Sequence, residues 1–140
     1  MEVEKGAIRK FADAVDDQNP LYWDEGYARN SRYGAIITPP GFFGWPTTWT
    51  GGGPLFSEAT TQLMDALAKT GYSRLFDGGI EYEFFTPVRA GDTLMARSMF
   101  KNIAERKSQG EARVFVFTET TYHNQNGNLV AKVQQVFVYS

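Results

Sequence analysis

The order of apolar and polar residues divides the chain into a helical first part and a strand-rich second part. From Ile8 to Val15 the apolar residues recur at intervals of three and four, which is the spacing of one helix face. A second helix is predicted from about Ser57 to Lys69, with Ser57 as its N-cap and Gly71 just past its C-terminus. The pattern therefore predicts two helices before the period changes near residue 79.

Beyond that point apolar and polar residues alternate, which is typical of strands. Four segments carry the alternation: IEYEFF, TLMARSMF, RVFVFTETTYH and LVAKVQQVFVYS. They are separated by a VRAGD turn, a polar AERKSQGEA loop and an NQNG hairpin signal. The sequence predicts an antiparallel meander, hence an α+β domain whose sheet packs on one long helix. Apolar residues on both faces of the last strand also predict that a second subunit covers part of the sheet.

Composition narrows the function classes. The 140 residues carry a net charge of -2, one histidine and no cysteine. We expect one domain over residues 1–140, with no disulfide, no thiolate chemistry and no metal site. No basic patch indicates nucleic-acid binding. The N-terminus lacks an apolar signal region and no apolar run approaches the roughly 20 residues that span a bilayer, so the expected location is cytoplasmic, without membrane binding.

Aromatic residues make up 15% of the chain and gather in PPGFFGWPTTWTGGGPLF. This segment holds Phe42, Phe43, Trp45 and Trp49 among glycines and prolines, which disfavour both helix and central strand. Large aromatic rings on irregular backbone either cap a core or interface, or line an apolar pocket. The sequence leaves both interpretations open.

The segment DDQNPLYWDE also has two interpretations. Asp17 and Asn19 are good turn and cap residues, so the segment is expected to end one helix and start another. The same cluster of carboxylates, amide and aromatics has the residue types of a catalytic loop.

Three segments in order resemble the MaoC-like acyl dehydratases, also called R-specific enoyl-thioester hydratases. They are FADAVDDQNPLYWDEGYARNSRYGAIITPP, FDGGIEYEFFTPVRAGDTLMARSMF and NQNGNLVAKVQQVFV. The resemblance covers nearly the whole chain and is closest to the FAS1-like, or MaoC N-terminal, dehydratase branch. It implies the hot-dog fold, an antiparallel sheet wrapped around a long central helix.

In catalytic members the loop resembles G-D-x-N-P-L-H, whose aspartate and histidine hold and activate the water that adds to an enoyl thioester. By this resemblance Asp17 matches the catalytic aspartate, and Tyr22 stands at the histidine position. Asp16 replaces the glycine. A tyrosine, with an ordinary pKa near 10, is a poor base at neutral pH. The single histidine, His123, lies far along the chain before the NQNG turn and is expected to be a turn residue.

The resemblance implies a hot-dog subunit of an enoyl-CoA or enoyl-ACP hydratase, or 3-hydroxyacyl-thioester dehydratase. The chain would be the non-catalytic or pocket-forming partner, because the histidine position is Tyr22. The expected assembly is a homodimer or a heterodimer with a second, catalytic hot-dog subunit. It implies no cofactor beyond the coenzyme A or phosphopantetheine of the acyl thioester. The expected substrate-binding residues are Asn19, Pro40, Gly41, Phe42, Phe43, Trp45 and Trp49.

Two alternatives remain open at this stage. The first is a self-sufficient homo-oligomeric hydratase that uses Asp17 with Tyr22, or with another carboxylate such as Asp24. The second is a non-enzymatic acyl-thioester binding protein.

A widened pocket would suit a bulky acyl group, such as a long-chain, aromatic or steroid-like one, in fatty acid or steroid metabolism. The sequence does not specify the acyl chain, its carrier or the direction of reaction.

Overall fold

A computed structural model describes residues 1–44, 58–108 and 110–140. The helices within these ranges are α1 (Lys5–Ala14), α2 (Pro20–Trp23), α3 (Glu25–Asn30) and α4 (Glu58–Lys69). The strands are β1 (Leu75–Phe84), β2 (Met95–Ser108), β3 (Glu111–His123) and β4 (Leu129–Tyr139). Both helices predicted from periodicity are present. The expected N-cap Ser57 lies outside the described residues, as do Trp45 and Trp49.

Two side-chain caps explain why the helices α2 and α3 begin where they do. The Asn19 side chain accepts a hydrogen bond from the Leu21 N–H at 3.1 Å, and Pro20 supplies the fixed φ that suits a first helical position. The Asp24 carboxylate accepts from the Tyr27 N–H at 2.9 Å. The predicted turn between two helices is therefore confirmed in this segment.

The strands form one antiparallel sheet in the order β1-β4-β3-β2. The meander prediction is correct for β2, β3 and β4 but wrong for β1, which pairs with β4 and lies at the opposite edge from β2. Periodicity reports which face a residue occupies and carries no information on strand neighbours. The VRAGD turn, accordingly, does not close a hairpin. Arg89 within this segment forms an isolated bridge with Ile37, and Thr93 just after it forms one with Glu2.

The prediction that AERKSQGEA forms a long polar loop between β2 and β3 is also wrong, because the actual connection is much shorter. Strand β2 continues to Ser108 and β3 begins at Glu111, so most of this segment is strand. Its charged residues fit an exposed edge strand, where they face solvent. The Arg106 guanidinium lies 5.1 Å from the centre of the Phe115 ring, a cation–π contact that helps hold the two strands together.

The described residues form two compact units. The first contains residues 1–44, 84–96 and 122–131, and the second contains 58–83, 97–108, 110–121 and 132–140. In the first unit Val3, Ile8 and Ala12 are fully buried, and Phe11 stacks on Phe42 with ring centres 4.8 Å apart. Nothing in this division tests the expectation of a single domain, which stays a prediction.

In the second unit α4 packs on the sheet. Leu63 and Leu67 of the helix contact a buried cluster of strand residues. The cluster consists of Val114, Val116, Phe137 and Tyr139. Gly71 follows the helix with φ of 96°, a conformation that favours glycine, as predicted for this position. This helix-on-sheet packing is the α+β hot-dog arrangement.

Exposed apolar residues concentrate on the two edge strands rather than on β4. Every residue of β1 is exposed, and Met95 and Met99 of β2 are exposed as well. In contrast, Val130 and Val138 of β4 are buried. In the described part of the chain, no helix is long and apolar enough to cross a membrane.

Candidate active-site cleft

The loop between α1 and α2 is held by main-chain contacts. The Asp17 N–H donates to the Ala12 carbonyl at 2.8 Å, and the Trp23 indole N–H donates to the Asp17 carbonyl at 3.0 Å. One Asp17 carboxylate oxygen accepts from the Asn19 N–H at 3.1 Å. These contacts fix the half-buried Asp17 at the start of the loop.

Asp16 adopts a backbone conformation that glycine favours. Its φ of 54° lies in the left-handed region, and it is the only residue other than glycine with positive φ among those described. The loop turns sharply here, between the end of α1 and Asp17. The resemblance places a glycine at this position, which is what such a turn requires.

We expect Asp16→Gly to stabilise the chain by up to about 1 kcal/mol, because glycine relieves the left-handed strain but adds entropy to the unfolded chain. The measurement is the free energy of unfolding in urea. Asp13→Gly is the matched control. Asp13 lies inside α1, so this substitution should cost about 0.5–1 kcal/mol. Equal losses for both variants would contradict the assignment of strain to Asp16.

Tyr22 lies in the wall of a cleft of about 410 Å³ in the first unit. Its side chain is 6% exposed. Burial raises the pKa of its phenol, and the negative charge of Asp17 raises it further. A hydrogen bond with the Asn19 side chain acts in the opposite direction, and Tyr33 adds a small increase. The phenol therefore stays protonated at neutral pH.

Several of the residues expected to bind substrate line the same cleft. Asn19, Pro40, Gly41 and Phe43 all contribute to its wall. Phe43 is 8% exposed and its ring stacks on that of Tyr122 at 4.1 Å. The structure thus brings these residues together with Tyr22, while their role in binding remains a prediction.

Other expected site residues are placed elsewhere. Phe42 is buried against Phe11 and belongs to the core of the first unit rather than to the described cleft wall. Trp45 and Trp49 lie outside the described residues. Asp24 is an exposed helix cap, and neither it nor the strand-end residue His123 lines the cleft.

Sequence reasoning missed part of the wall. Tyr33, Thr38, Phe84, Phe85 and Thr86 also line the cleft. The sequence FFTP could have indicated this part of the wall, because two adjacent aromatic residues break the strand alternation before a proline. The Thr86 hydroxyl donates to the Leu129 carbonyl at 3.1 Å, which ties this segment to the start of β4.

The described wall of the cleft is apolar with neutral polar groups. It contains tyrosine and threonine hydroxyls and one asparagine amide, and it holds no histidine, carboxylate or lysine among the described residues. Within the same part of the chain, no three histidine or carboxylate side chains gather in a way that would hold a metal ion. The cleft wall can contact an apolar group, and its tyrosine and threonine hydroxyls can form hydrogen bonds with a polar group beside it.

Tyr22 makes stability depend on pH in a defined range. Its pKa is raised above the ordinary value of 10.0 in the folded chain. Below pH 10 the phenol is protonated in both the folded and unfolded chain, so the full stabilisation is present. It is lost as pH rises through the folded pKa, because the unfolded chain loses the proton first.

We therefore expect the free energy of unfolding to fall above about pH 10, and Tyr22→Phe to flatten that fall. Urea unfolding midpoints measured over a series of alkaline pH values test this. Tyr139, whose pKa burial also raises, leaves a residual slope in the variant. Identical slopes in the two proteins would show that Tyr22 titrates normally.

Known proteins resemble this chain in sequence and in fold. The model of the family described as "FAS1-like, dehydratase domain region" matches residues 1–133. A UPF0336 protein of Streptomyces avermitilis is 35% identical over 102 residues, 73% of this chain and 63% of that protein. A "Probable enoyl-CoA hydratase alpha subunit" of Thermomonospora curvata is 30% identical over 133 residues, 89% of this chain and 40% of that protein. The ChsH1-ChsH2 complex from Mycobacterium tuberculosis has a TM-score of 0.82 at 16% identity, covering 99% of this chain and 82% of that one.

The fold and the family match define a hot-dog protein of the acyl-dehydratase class. The chain belongs to the FAS1-like dehydratase region family, within the MaoC-like dehydratases. The resemblance noted from the sequence and the hot-dog fold are therefore confirmed. The match spans about 63% of the length of the Streptomyces avermitilis relative.

Proposed function

We propose that this chain is the pocket-forming subunit of an enoyl-thioester hydratase, or 3-hydroxyacyl-thioester dehydratase, whose acid–base pair lies on a second hot-dog chain. One observation carries the proposal. The side chain at the family's histidine position is Tyr22, which is buried in the cleft wall with a raised pKa.

The reaction explains why that observation matters. Hydration adds a hydroxyl group to the β-carbon and a proton to the α-carbon, so some group must take a proton from water and return one to the substrate. A protonated phenol of raised pKa does not accept a proton at neutral pH. It can donate a hydrogen bond, which suits binding of a thioester carbonyl. The cleft therefore fits substrate binding better than proton transfer.

The relatives support a two-chain arrangement. One is named as the alpha subunit of an enoyl-CoA hydratase, and the solved neighbour is a complex of two proteins. The aromatic wall formed by Phe43, Phe84 and Phe85 suits a bulky acyl group, such as a long-chain, aromatic or steroid-like one. The carrier, coenzyme A or acyl-carrier phosphopantetheine, would arrive as part of the substrate.

The test is an assay of the purified chain with a short and a long 2-enoyl-CoA, following loss of the enoyl-thioester absorbance. We expect no turnover by this chain alone, and turnover when it is combined with a hot-dog chain that retains the aspartate and histidine. A partner mixture in which Asp17→Asn leaves the rate unchanged supports the non-catalytic role of this chain. Turnover by the chain alone that Asp17→Asn abolishes would overturn the proposal.

The two alternatives predict different results in the same assay. A self-sufficient hydratase turns over substrate alone and depends on Asp17. A non-enzymatic acyl-thioester binding protein binds the substrate, or its saturated analogue, in a calorimetric titration but gives no turnover with any hot-dog partner. The raised pKa of Tyr22 argues against the first of these.

A further inference from the structure

Tyr33 lies in the cleft wall of the first unit, and its main chain is fixed on both sides. Its N–H donates to the Ser31 hydroxyl at 3.1 Å, and its carbonyl accepts from the Arg89 guanidinium at 3.0 Å. Arg89 also pairs through its backbone with Ile37, which lines the same cleft. These contacts tie Tyr33 to the segments that build the wall.

The hydrogen bond between Arg32 and Tyr33 has only one possible direction. The Arg32 guanidinium donates to the Tyr33 hydroxyl at 2.5 Å and lies 4.7 Å from the centre of the same ring. A guanidinium has no acceptor group, so this contact uses a lone pair of the phenol oxygen and leaves the phenol proton for another partner. Hydrogen bonds in a chain polarise one another, so the bond from Arg32 strengthens one that Tyr33 donates.

Tyr22 has the same pattern on a neighbouring part of the wall. The Asn19 side-chain oxygen accepts from the Leu21 N–H, which leaves the amide NH₂ group for the Tyr22 phenol. Burial is the main cause of the raised Tyr22 pKa, and the hydrogen bond with Asn19 lowers that pKa, as donation to the phenol oxygen does. Tyr33 lies close enough to affect the same pKa. Two neighbouring phenols thus each accept from a side chain and keep a proton to donate.

This pair of hydroxyls suits a neutral oxygen atom beside an apolar group. A carbonyl oxygen has two lone pairs and can accept from two donors at once. A carboxylate fits less well, because the negative charge of Asp17 already acts on Tyr22. Phe43 and Phe84, in the same wall, supply apolar surface for the chain attached to that carbonyl.

We infer that Tyr33 binds the thioester carbonyl of the substrate together with Tyr22, and that Arg32 is a positioning residue for the Tyr33 hydroxyl. The inference rests on the proposed function, which supplies an acyl thioester as the substrate. It adds a specificity-determining residue outside the loop that resembles the catalytic segment.

The first experiment compares two ligands that differ only at the carbonyl. Octanoyl-CoA is a thioester, and S-octyl-CoA is the thioether with a methylene group in its place. In calorimetric titrations of the full chain, we expect the thioester to bind about tenfold tighter, since two hydrogen bonds each contribute a few-fold. Tyr33→Phe should reduce this ratio to about threefold while the affinity for the thioether stays the same. Tyr27→Phe, at an exposed tyrosine of α3, is the matched control and should keep the full ratio.

Variants of Arg32 test the positioning role. Arg32→Met should lower the thioester-to-thioether ratio, because the hydroxyl loses the donor that orients it. Arg32→Lys should restore part of the ratio, since an ammonium group can also donate to the phenol oxygen. Arg29→Met removes the same charge from an exposed position on α3. It should weaken both coenzyme A ligands equally and leave the ratio unchanged.

Infrared spectroscopy reports on the carbonyl directly. Hydrogen bonds to a carbonyl oxygen lower its stretching frequency. With octanoyl-CoA labelled with ¹³C at the carbonyl, the band of the bound ligand should move to higher frequency in Tyr33→Phe and by a smaller amount in Arg32→Met. A residue that only supports the fold would leave this band in place.

Three results would overturn the inference. The natural chain could bind the two ligands equally well, or bind neither. Tyr33→Phe could keep both the ratio and the carbonyl band. Arg29→Met could lower the ratio as much as Arg32→Met does, which would show that Arg32 acts through net charge alone. Neither ligand can be hydrated, so a carbonyl preference without turnover alongside a hot-dog partner would contradict only the proposed function. Turnover with a partner but no carbonyl preference would contradict only this inference.

Discussion

Tyr22→His is expected to create hydratase activity in this chain. The substitution restores the histidine that the family's catalytic loop carries five residues after its aspartate. Asp17 already lies close enough for its charge to raise the pKa of Tyr22. General acid–base groups typically contribute about 10²–10⁴-fold to a rate. We therefore expect turnover of a 2-enoyl-CoA at least about 100-fold above that of the natural chain.

The pH profile and a second substitution separate catalysis from other effects. With an ordinary histidine pKa of about 6.5, the new activity in the hydration direction should decline as pH falls and the imidazole becomes charged. Tyr22→His/Asp17→Asn should lose the gain, and Tyr22→Phe should show none. A smaller ring in a buried site costs about 1–3 kcal/mol, so thermal unfolding must confirm that the variant is folded. A folded Tyr22→His chain that binds substrate without turnover would show that positions 17 and 22 do not work as a pair.

Phe43→Ala is expected to produce the largest loss of stability among the residues of the cleft wall. The ring is nearly buried, stacks on Tyr122, and lies 6.4 Å from the ring of Phe84. Removing a buried phenylalanine costs about 3–5 kcal/mol, because transfer energy is lost and a cavity remains. Urea unfolding gives the free energy directly.

Phe85→Ala is the matched control, since Phe85 lines the same cleft but is 48% exposed. We expect it to cost about 1 kcal/mol, because much of that ring already contacts water. If Phe43→Ala does not fold, Phe43→Leu keeps most of the volume and should cost less. Equal losses at positions 43 and 85 would mean that the Phe43 ring contributes to the cleft surface but not to the core.

The elements of the fold were accessible from sequence because they depend on local chemistry. Helix α4, the Gly71 terminus and the cap at Asn19 follow from spacing and from side chains that satisfy nearby amides. The position of β1 was not accessible in this way. Its pairing with β4 depends on contacts between residues far apart in the chain, and the alternation of IEYEFF is equally compatible with either neighbour.

The sequence identified candidate residues that the structure brings into one cleft where a single short segment carries them, while their role stays a prediction. Asn19, Tyr22 and Phe43 belong to segments whose unusual composition indicated a site. Phe84 ends β1 and Phe85 follows it, and the break in alternation at FFTP does not indicate which other segments these rings contact. They line the cleft because the fold brings the end of β1 next to Asn19 and Tyr22, which are far away in sequence. Phe42 and Phe43 are adjacent aromatics that look equivalent in sequence, although among the described residues only Phe43 lines the cleft while Phe42 stacks on Phe11.

Two of the contacts that shape the loop around Asp17 do not involve the side chain at position 22. The Asp17 carboxylate accepts a hydrogen bond from the Asn19 backbone N–H, and the Asp17 carbonyl accepts one from the Trp23 indole N–H. These two contacts do not depend on which residue occupies position 22. If Tyr22→His gains activity as expected, a single exchange at this position would change proton transfer while these two contacts persist. Under the proposed function, duplicated copies of such a domain would then divide binding and catalysis between them.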